Sequence, residues 1–243
     1  MQQSGWRGQV AAILAAALCA VALLLAAPRL ARSDVPAVSV ALILAADVSG
    51  SITRDQIMLQ REGAAAALLH PAILDAIAAT AERRIMVAIV EWDDDTRQSV
   101  VLPWTVIAGE SDAEAASAAL LGAPVRSGGG TSLAGMLRFA SVLLAACPCR
   151  PARQVVDVSS DGDHPPPGPA RDALLAAGAT INAILIVPAA TADRARAFYE
   201  AEVIGGPGRF VMVADGYETF AYALRAKLVR EVAGLPIHAA EAR

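Results

Sequence analysis

From Val38 to Ala46 the chain is apolar at every position but Ser39. A half-exposed strand alternates polar and apolar residues, so a run with no wet face reads as a parallel strand buried on both sides. Such a strand requires a sheet covered by helices on both faces, which already narrows the fold to a layered α/β architecture. The run ends abruptly in Asp47-Val48-Ser49-Gly50-Ser51. Strand residues two apart point the same way, so Asp47, Ser49 and Ser51 can converge where the chain turns. Three hard oxygen donors suit magnesium, calcium or manganese better than zinc or copper. In open α/β sheets ligands bind at the carboxyl ends of the strands, where this loop falls.

The remaining chain supplies the alternation that a doubly wound sheet needs. Thr53-x-x-Gln56 has the form of a capping box and opens an alanine-rich helix to about Leu69, and a second helical stretch runs from Pro71 to about Ala81. Ile85–Trp92 and Gln98–Leu102 read as two strands around the polar turn Asp93-Asp94-Asp95-Thr96, a solvated hairpin that makes one sheet edge antiparallel. A short helix near Ser111–Leu121 leads to Gly128-Gly129-Gly130-Thr131. Leu133, Met136, Leu137, Ala140, Leu143 and Leu144 then recur with helical period. Arg153–Ser160, Thr180–Val187 and Phe210–Val213 are further strands, separated by helices at Pro169–Ala177 and Thr191–Ile204. The last helix starts at the cap-like Asp215-x-x-Glu218, shows Tyr217, Phe220, Ala221, Leu224 and Leu228 on its apolar face, and stops at Gly234 before Pro236. The expected fold is one doubly wound, mostly parallel α/β domain over residues 36–234, with a tail at 235–243.

Residues 1–33 read as a separate segment. Arg7 precedes an uncharged run from Val10 to Ala27, and Ala31 and Ser33 form a small-x-small exit. This describes a signal peptide cleaved after Ser33, with an uncleaved membrane anchor as the rival. Either places the domain outside the cytoplasm, periplasmic or secreted. Cys19 follows Leu18, where lipid attachment would want a small residue. An oxidising compartment permits a Cys147–Cys149 bridge across Pro148, and a loop pair with no bridge is the alternative. A net charge of −4 and basic character carried almost wholly by arginine give no stripe for nucleic acid.

Three loops of acids or hydroxyls fall at predicted strand ends or helix starts: Asp47-x-Ser49-x-Ser51, Gly130-Thr131-Ser132 and Ser160-Asp161-Gly162. Their order resembles the metal-ion-dependent adhesion site (MIDAS) of von Willebrand factor type A (vWA) domains. Gln60-Arg61-Glu62-Gly63, Val90-Glu91-Trp92, Pro103-Trp104-Thr105, Asp157-Val158-Ser159-Ser160-Asp161-Gly162 and Ile204-Gly205-Gly206-Pro207-Gly208 are similar to an exported bacterial vWA-like subgroup, domain of unknown function 1194. The chain departs from that subgroup at Asp163-His164-Pro165, where a proline-asparagine-like stretch is expected.

The resemblance implies a vWA fold in which Asp47, Ser49, Ser51, Thr131 and Asp161 hold Mg2+, or Mn2+ or Ca2+. Ser49 and Ser51 would bind directly, Thr131 directly or through water, and both aspartates at least partly through water. Two charged ligands barely neutralise a divalent ion, so a partner's Asp or Glu would complete the shell. The function implied is protein binding without catalysis. Rival readings are weaker on the residues. A haloacid-dehalogenase-like phosphatase needs an acid two residues after the aspartate, and Ser49 stands there. A phosphate loop needs a lysine before Thr131, yet the only lysine is Lys227. A static part of an envelope assembly is the remaining alternative. Asp157, inside a strand, reads as a buried acid paired with a neighbour, Asp47 taken alone as a possible helix cap, His164 as a loop residue beside prolines, and His70 as a helix end before Pro71.

Overall fold

The computed structural model describes residues 35–126, 128–162 and 164–234. The predicted export segment and the 235–243 tail lie outside the described residues. In chain order the elements are β1 (Ala37–Asp47), α1 (Arg54–Leu68), α2 (Pro71–Ala79), β2 (Ile85–Trp92), β3 (Gln98–Ile107), α3 (Glu110–Gly122) and α4 (Leu133–Ala145). Then come β4 (Arg150–Ser160), α5 (Pro169–Ala176), β5 (Thr180–Ile186), α6 (Ala189–Phe198), a π-helical turn (Tyr199–Val203), β6 (Val211–Ala214) and α7 (Tyr217–Ala233). The strands form a six-stranded sheet in the order β3-β2-β1-β4-β5-β6, parallel throughout except for the β2–β3 pair.

The unbroken apolar run of β1 has its expected cause. Ala41, Ile43 and Ala45 pack into a layer with α4, α5 and α6, while Val40, Leu42 and Leu44 pack into the opposite layer with α1, α2, α3 and α7. Each leucine or isoleucine so buried contributes roughly 1.5–3 kcal/mol. At the start of α1 the capping box forms: Thr53 Oγ1 accepts from the Gln56 amide at 3.3 Å, and Gln56 Oε1 accepts from the Thr53 amide at 2.8 Å. His70 lies just past the end of α1, its amide donating to the Ala67 carbonyl at 3.0 Å, and is also the N-cap of α2, its Nδ1 accepting from the Ala72 amide at 3.1 Å.

Several boundaries differ from the sequence reading for physical reasons. β3 continues past Leu102 through Pro103 to Ile107, because an edge strand tolerates a residue that cannot donate. Its register against β2 shifts there, between Val87 and Ile89. The Asp215 carboxylate does not cap α7. It accepts from the Ala189 amide at the start of α6, 3.3 Å away, and Gly216 precedes α7 without a side-chain cap. Ala221 is exposed, and the buried face of α7 carries Ala223, Lys227 and Glu231 besides Phe220, Leu224 and Leu228. Cys147 and Cys149 are bridged in the turn between α4 and β4.

The single lysine is buried at the sheet. Lys227 Nζ lies 2.5 Å from Asp157 Oδ1 and 2.5 Å from Glu231 Oε1, the second contact with hydrogen-bond geometry. Asn182 Nδ2 donates to the same Glu231 oxygen at 2.7 Å, and its own carbonyl accepts from the Phe210 amide at 3.0 Å. One ammonium faces two carboxyls here. Burial, with the Glu231 charge beside it, pushes Asp157 up to about 7 from an ordinary 3.8. The folded chain therefore holds a proton on Asp157 that the unfolded chain releases near pH 4, and by linkage stability falls as pH rises through that window. Asp47, discussed below, acts in the same direction. Chelator-treated protein is thus expected to melt measurably higher at pH 5 than at pH 8. A melting temperature that rises steadily to pH 8 would contradict this account of the lysine site.

Candidate metal centre

The sheet order changes direction between β1 and β4, and the crevice at their carboxyl ends is where an α/β sheet takes ligands. Asp47 ends β1, and Ser160 ends β4. Asp47 is fully buried. Its Oδ1 accepts from the Ser49 amide at 2.9 Å, its Oδ2 accepts from Ser160 Oγ at 3.1 Å, and its main-chain carbonyl accepts from Gln60 Nε2 at 2.9 Å. The Ser49 and Ser51 hydroxyl oxygens lie 3.3 Å apart, Ser49 buried and Ser51 exposed. Beneath them Val48, Ile52 and Ile57 form a small apolar plug with Val125 and Tyr217, which seats the loop on the domain.

The second loop is laid against the first. The Gly128 amide donates to the Val48 carbonyl at 3.3 Å, and a Cβ on Gly50 would come within 3.1 Å of the Gly129 carbonyl. Gly129 itself has φ 141°, and a side chain there would run into the Asp93 carboxylate and Arg97. The aspartate turn is what brackets this loop. Asp93 is buried, its carbonyl accepts from the Ser132 amide at 2.7 Å, and Asp95 accepts from Ser132 Oγ at 2.9 Å and pairs with Arg138. The Ser132 hydroxyl and Arg138 hold the Asp95 carboxyl below its usual range. The Asp93–Thr96 segment is therefore a bracket rather than a merely solvated turn. Ser132, accepting from the Gly135 amide at 3.0 Å, caps α4. The half-buried Thr131 is relieved of that job.

The third loop carries Asp161, half-buried and near enough to Asp47 to raise its proton affinity. Burial is the larger cause, and together they push Asp47 up to about 6 against the hydrogen bonds of Ser49 and Ser160. Tyr217 enters from α7. Its hydroxyl is buried without a hydrogen-bond partner among the described residues. Burial and the charges of Asp161 and Asp47 push its ionisation well up. A desolvated carboxylate, a second one beside it and converging hydroxyls form an environment that a divalent cation would relieve, so the donor set fits such an ion. Among the described residues no three His, Cys, Asp or Glu side chains cluster into a conventional cage. The oxygens here belong largely to hydroxyls.

One residue of the site was missed in the sequence. His164, read as a loop residue, has a side chain only 6 % exposed, and its Nε2 contacts Ser160 Oγ and stands 3.6 Å from Asp47 Oδ2. Its ring meets Trp92 edge-on with centroids 5.8 Å apart. The only signal was its position three residues after Asp161, where the chain departs from the resembled pattern.

The model of the family described as protein of unknown function (DUF1194) matches residues 37–236. No curated protein sequence matches the chain. Among solved structures, proximal thread matrix protein 1 of the mussel byssus aligns at TM-score 0.58 and 14 % identity, over 82 % of this chain and 49 % of that one. The von Willebrand factor type A protein of Catenulispora acidiphila aligns at TM-score 0.54 and 18 % identity, over 81 % and 43 %. The pilus adhesin SpaC of Lactobacillus rhamnosus GG aligns at TM-score 0.56 and 14 % identity, over 81 % and 31 %. This chain thus spans about half or less of the structures it matches, and at these identities the likeness establishes the fold. Among the described residues no single helix is long and apolar enough to cross a membrane. With the family model spanning nearly the whole folded region and the fold shared with a von Willebrand factor type A structure, the chain belongs to the DUF1194 family and has the vWA fold.

Proposed function

We propose that this domain is an exported adhesion-type module that holds a divalent cation through Asp47, Ser49, Ser51, Thr131 and Asp161. It would use the ion to capture an Asp or Glu side chain of a partner protein. The observation that carries the reading is the pair of serine oxygens 3.3 Å apart beside a fully buried aspartate at the switch-point crevice. Two carboxylates neutralise a divalent ion only just, and the exposed side of Ser51 leaves the outer face open to an anionic ligand. A structure of the mussel byssus protein with a zinc-occupied MIDAS motif supports a divalent ion in this kind of site. Taken by themselves, the five oxygen ligands favour Mg2+, Mn2+ or Ca2+ on their hardness.

A hydrolytic Ser-His-Asp relay is disfavoured. Ser160 and Asp47 both approach the same histidine nitrogen, whereas a relay needs them on opposite ones, and Ser160 is fully buried. The test is thermal unfolding of the domain with EDTA and with added Mg2+ or Mn2+. An ion at about 100 times its Kd should stabilise the fold by about 2.7 kcal/mol. Asp47→Ala and Ser49→Ala should abolish the gain, and a pull-down on an acidic-peptide library should lose its captured peptides in EDTA. An equal shift in Asp47→Ala would remove the metal reading, and peptide capture indifferent to EDTA would remove the bridging role.

A further inference from the structure

We infer that His164 is itself a donor to the ion at this site, making it a mixed nitrogen–oxygen centre that prefers zinc-like ions over magnesium. The inference rests on the metal reading above and specifies which ions the site takes. Nε2 contacts Ser160 Oγ and stands 3.6 Å from Asp47 Oδ2, too far for a hydrogen bond to that carboxylate, so an ion seated between them would take the place of the Ser160 contact. Two donors each about 2.0–2.1 Å from one tetrahedral ion are roughly 3.3 Å apart, close to that spacing.

The histidine is also held in place. Its side chain is 6 % exposed, its ring packs edge-on against the fully buried Trp92, and its Nε2 rather than its Nδ1 points toward the carboxylate. Trp92 is itself fixed, because it ends β2 opposite Asp47 in the β1–β2 register. An imidazole aimed at a buried carboxylate beside hydroxyls is a donor set for zinc, cobalt or nickel. Magnesium, which binds oxygen and keeps its water, gains little from it.

The experiment is calorimetric titration of the full chain with Zn2+ and with Mg2+, in the wild type and in His164→Gln, His164→Ala, His70→Ala and Ser49→Ala. Removing His164 should weaken zinc at least about 10-fold, the size of effect that even an outer-shell partner can have, and change magnesium by less than about 3-fold. Pulsed EPR of the Cu2+-loaded wild type should show imidazole nitrogen coupling that His70→Ala retains and His164→Gln loses. The wild-type spectrum needs no variant to fold, and oxygen-only coupling in it would overturn the inference. So would unchanged zinc affinity, an equal loss for both ions, or tighter zinc binding without the histidine, which would make His164 a competitor of the ion. In those cases a Ser49→Ala loss would leave the metal reading standing. A wild type that binds neither ion would remove both.

Discussion

Lys227→Met is expected to destabilise the domain by about 3–5 kcal/mol, the usual consequence of stripping one partner from a buried charge cluster. The substitution fits the space but leaves the Asp157 and Glu231 carboxyls, both almost completely buried, without their cation. A domain this size is held by only about 5–15 kcal/mol, so urea unfolding should show a large drop in midpoint with little change in slope. Asp157→Asn should do much less, because its carboxyl already tends to keep its proton. The deficit of Lys227→Met should shrink as pH falls, since acid neutralises the two groups left facing each other. A loss below 1 kcal/mol would mean the cluster is far better hydrated than its burial implies.

Arg61→Ala is expected to be as damaging. The guanidinium pairs with Glu91 through two parallel bonds, Nε to Oε1 at 2.6 Å and Nη2 to Oε2 at 2.9 Å. It also donates to the Ala123 and Pro124 carbonyls, at 2.5 and 3.0 Å. Those carbonyls lie where α3 ends and the chain heads toward the glycine loop, so the arginine ties α1, β2 and that loop together. Removing it strands a buried carboxylate and two carbonyls, again about 3–5 kcal/mol. Arg61→Met with Glu91→Leu should recover much of the loss, because an apolar pair of similar volume avoids the desolvation. If the double variant is no better than the single, the damage lies in the carbonyl contacts rather than in the orphaned acid.

The layered fold was legible because β1, β2 and β5 are apolar on both faces and the intervening segments carry helical periods. What local pattern could not show was which element would use a given polar side chain. Asp215 looks like a cap for its own helix yet serves the amide of Ala189, and Ala221 fits the helical stripe but lies outside the packed face. The lysine cluster illustrates the same limit. Asp157 was readable as a buried acid, but its partners lie 70 and 74 residues on and meet it only through α7. The motifs Gln60-Arg61 and Glu91-Trp92 turn out to be one device. Gln60 holds the Asp47 carbonyl, Arg61 holds Glu91, and Trp92 carries His164. For the proposed site, the three oxygen-bearing loops were distinguishable by residue type and spacing, and the structure lays the Gly128–Gly129 segment against the Asp47 loop. The histidine was not, since its burial depends on a tryptophan from another strand.

Both margins of the sheet are poor templates for a foreign chain. β3 carries a proline and a register break, and β6 spans only Val211–Ala214. An extended peptide adding itself as a seventh strand needs a straight row of unpaired amides, which neither margin provides. Under the proposed function, a partner would be left to the loops above the strand ends, and crowded molecules lack an easy route to fibrous self-association.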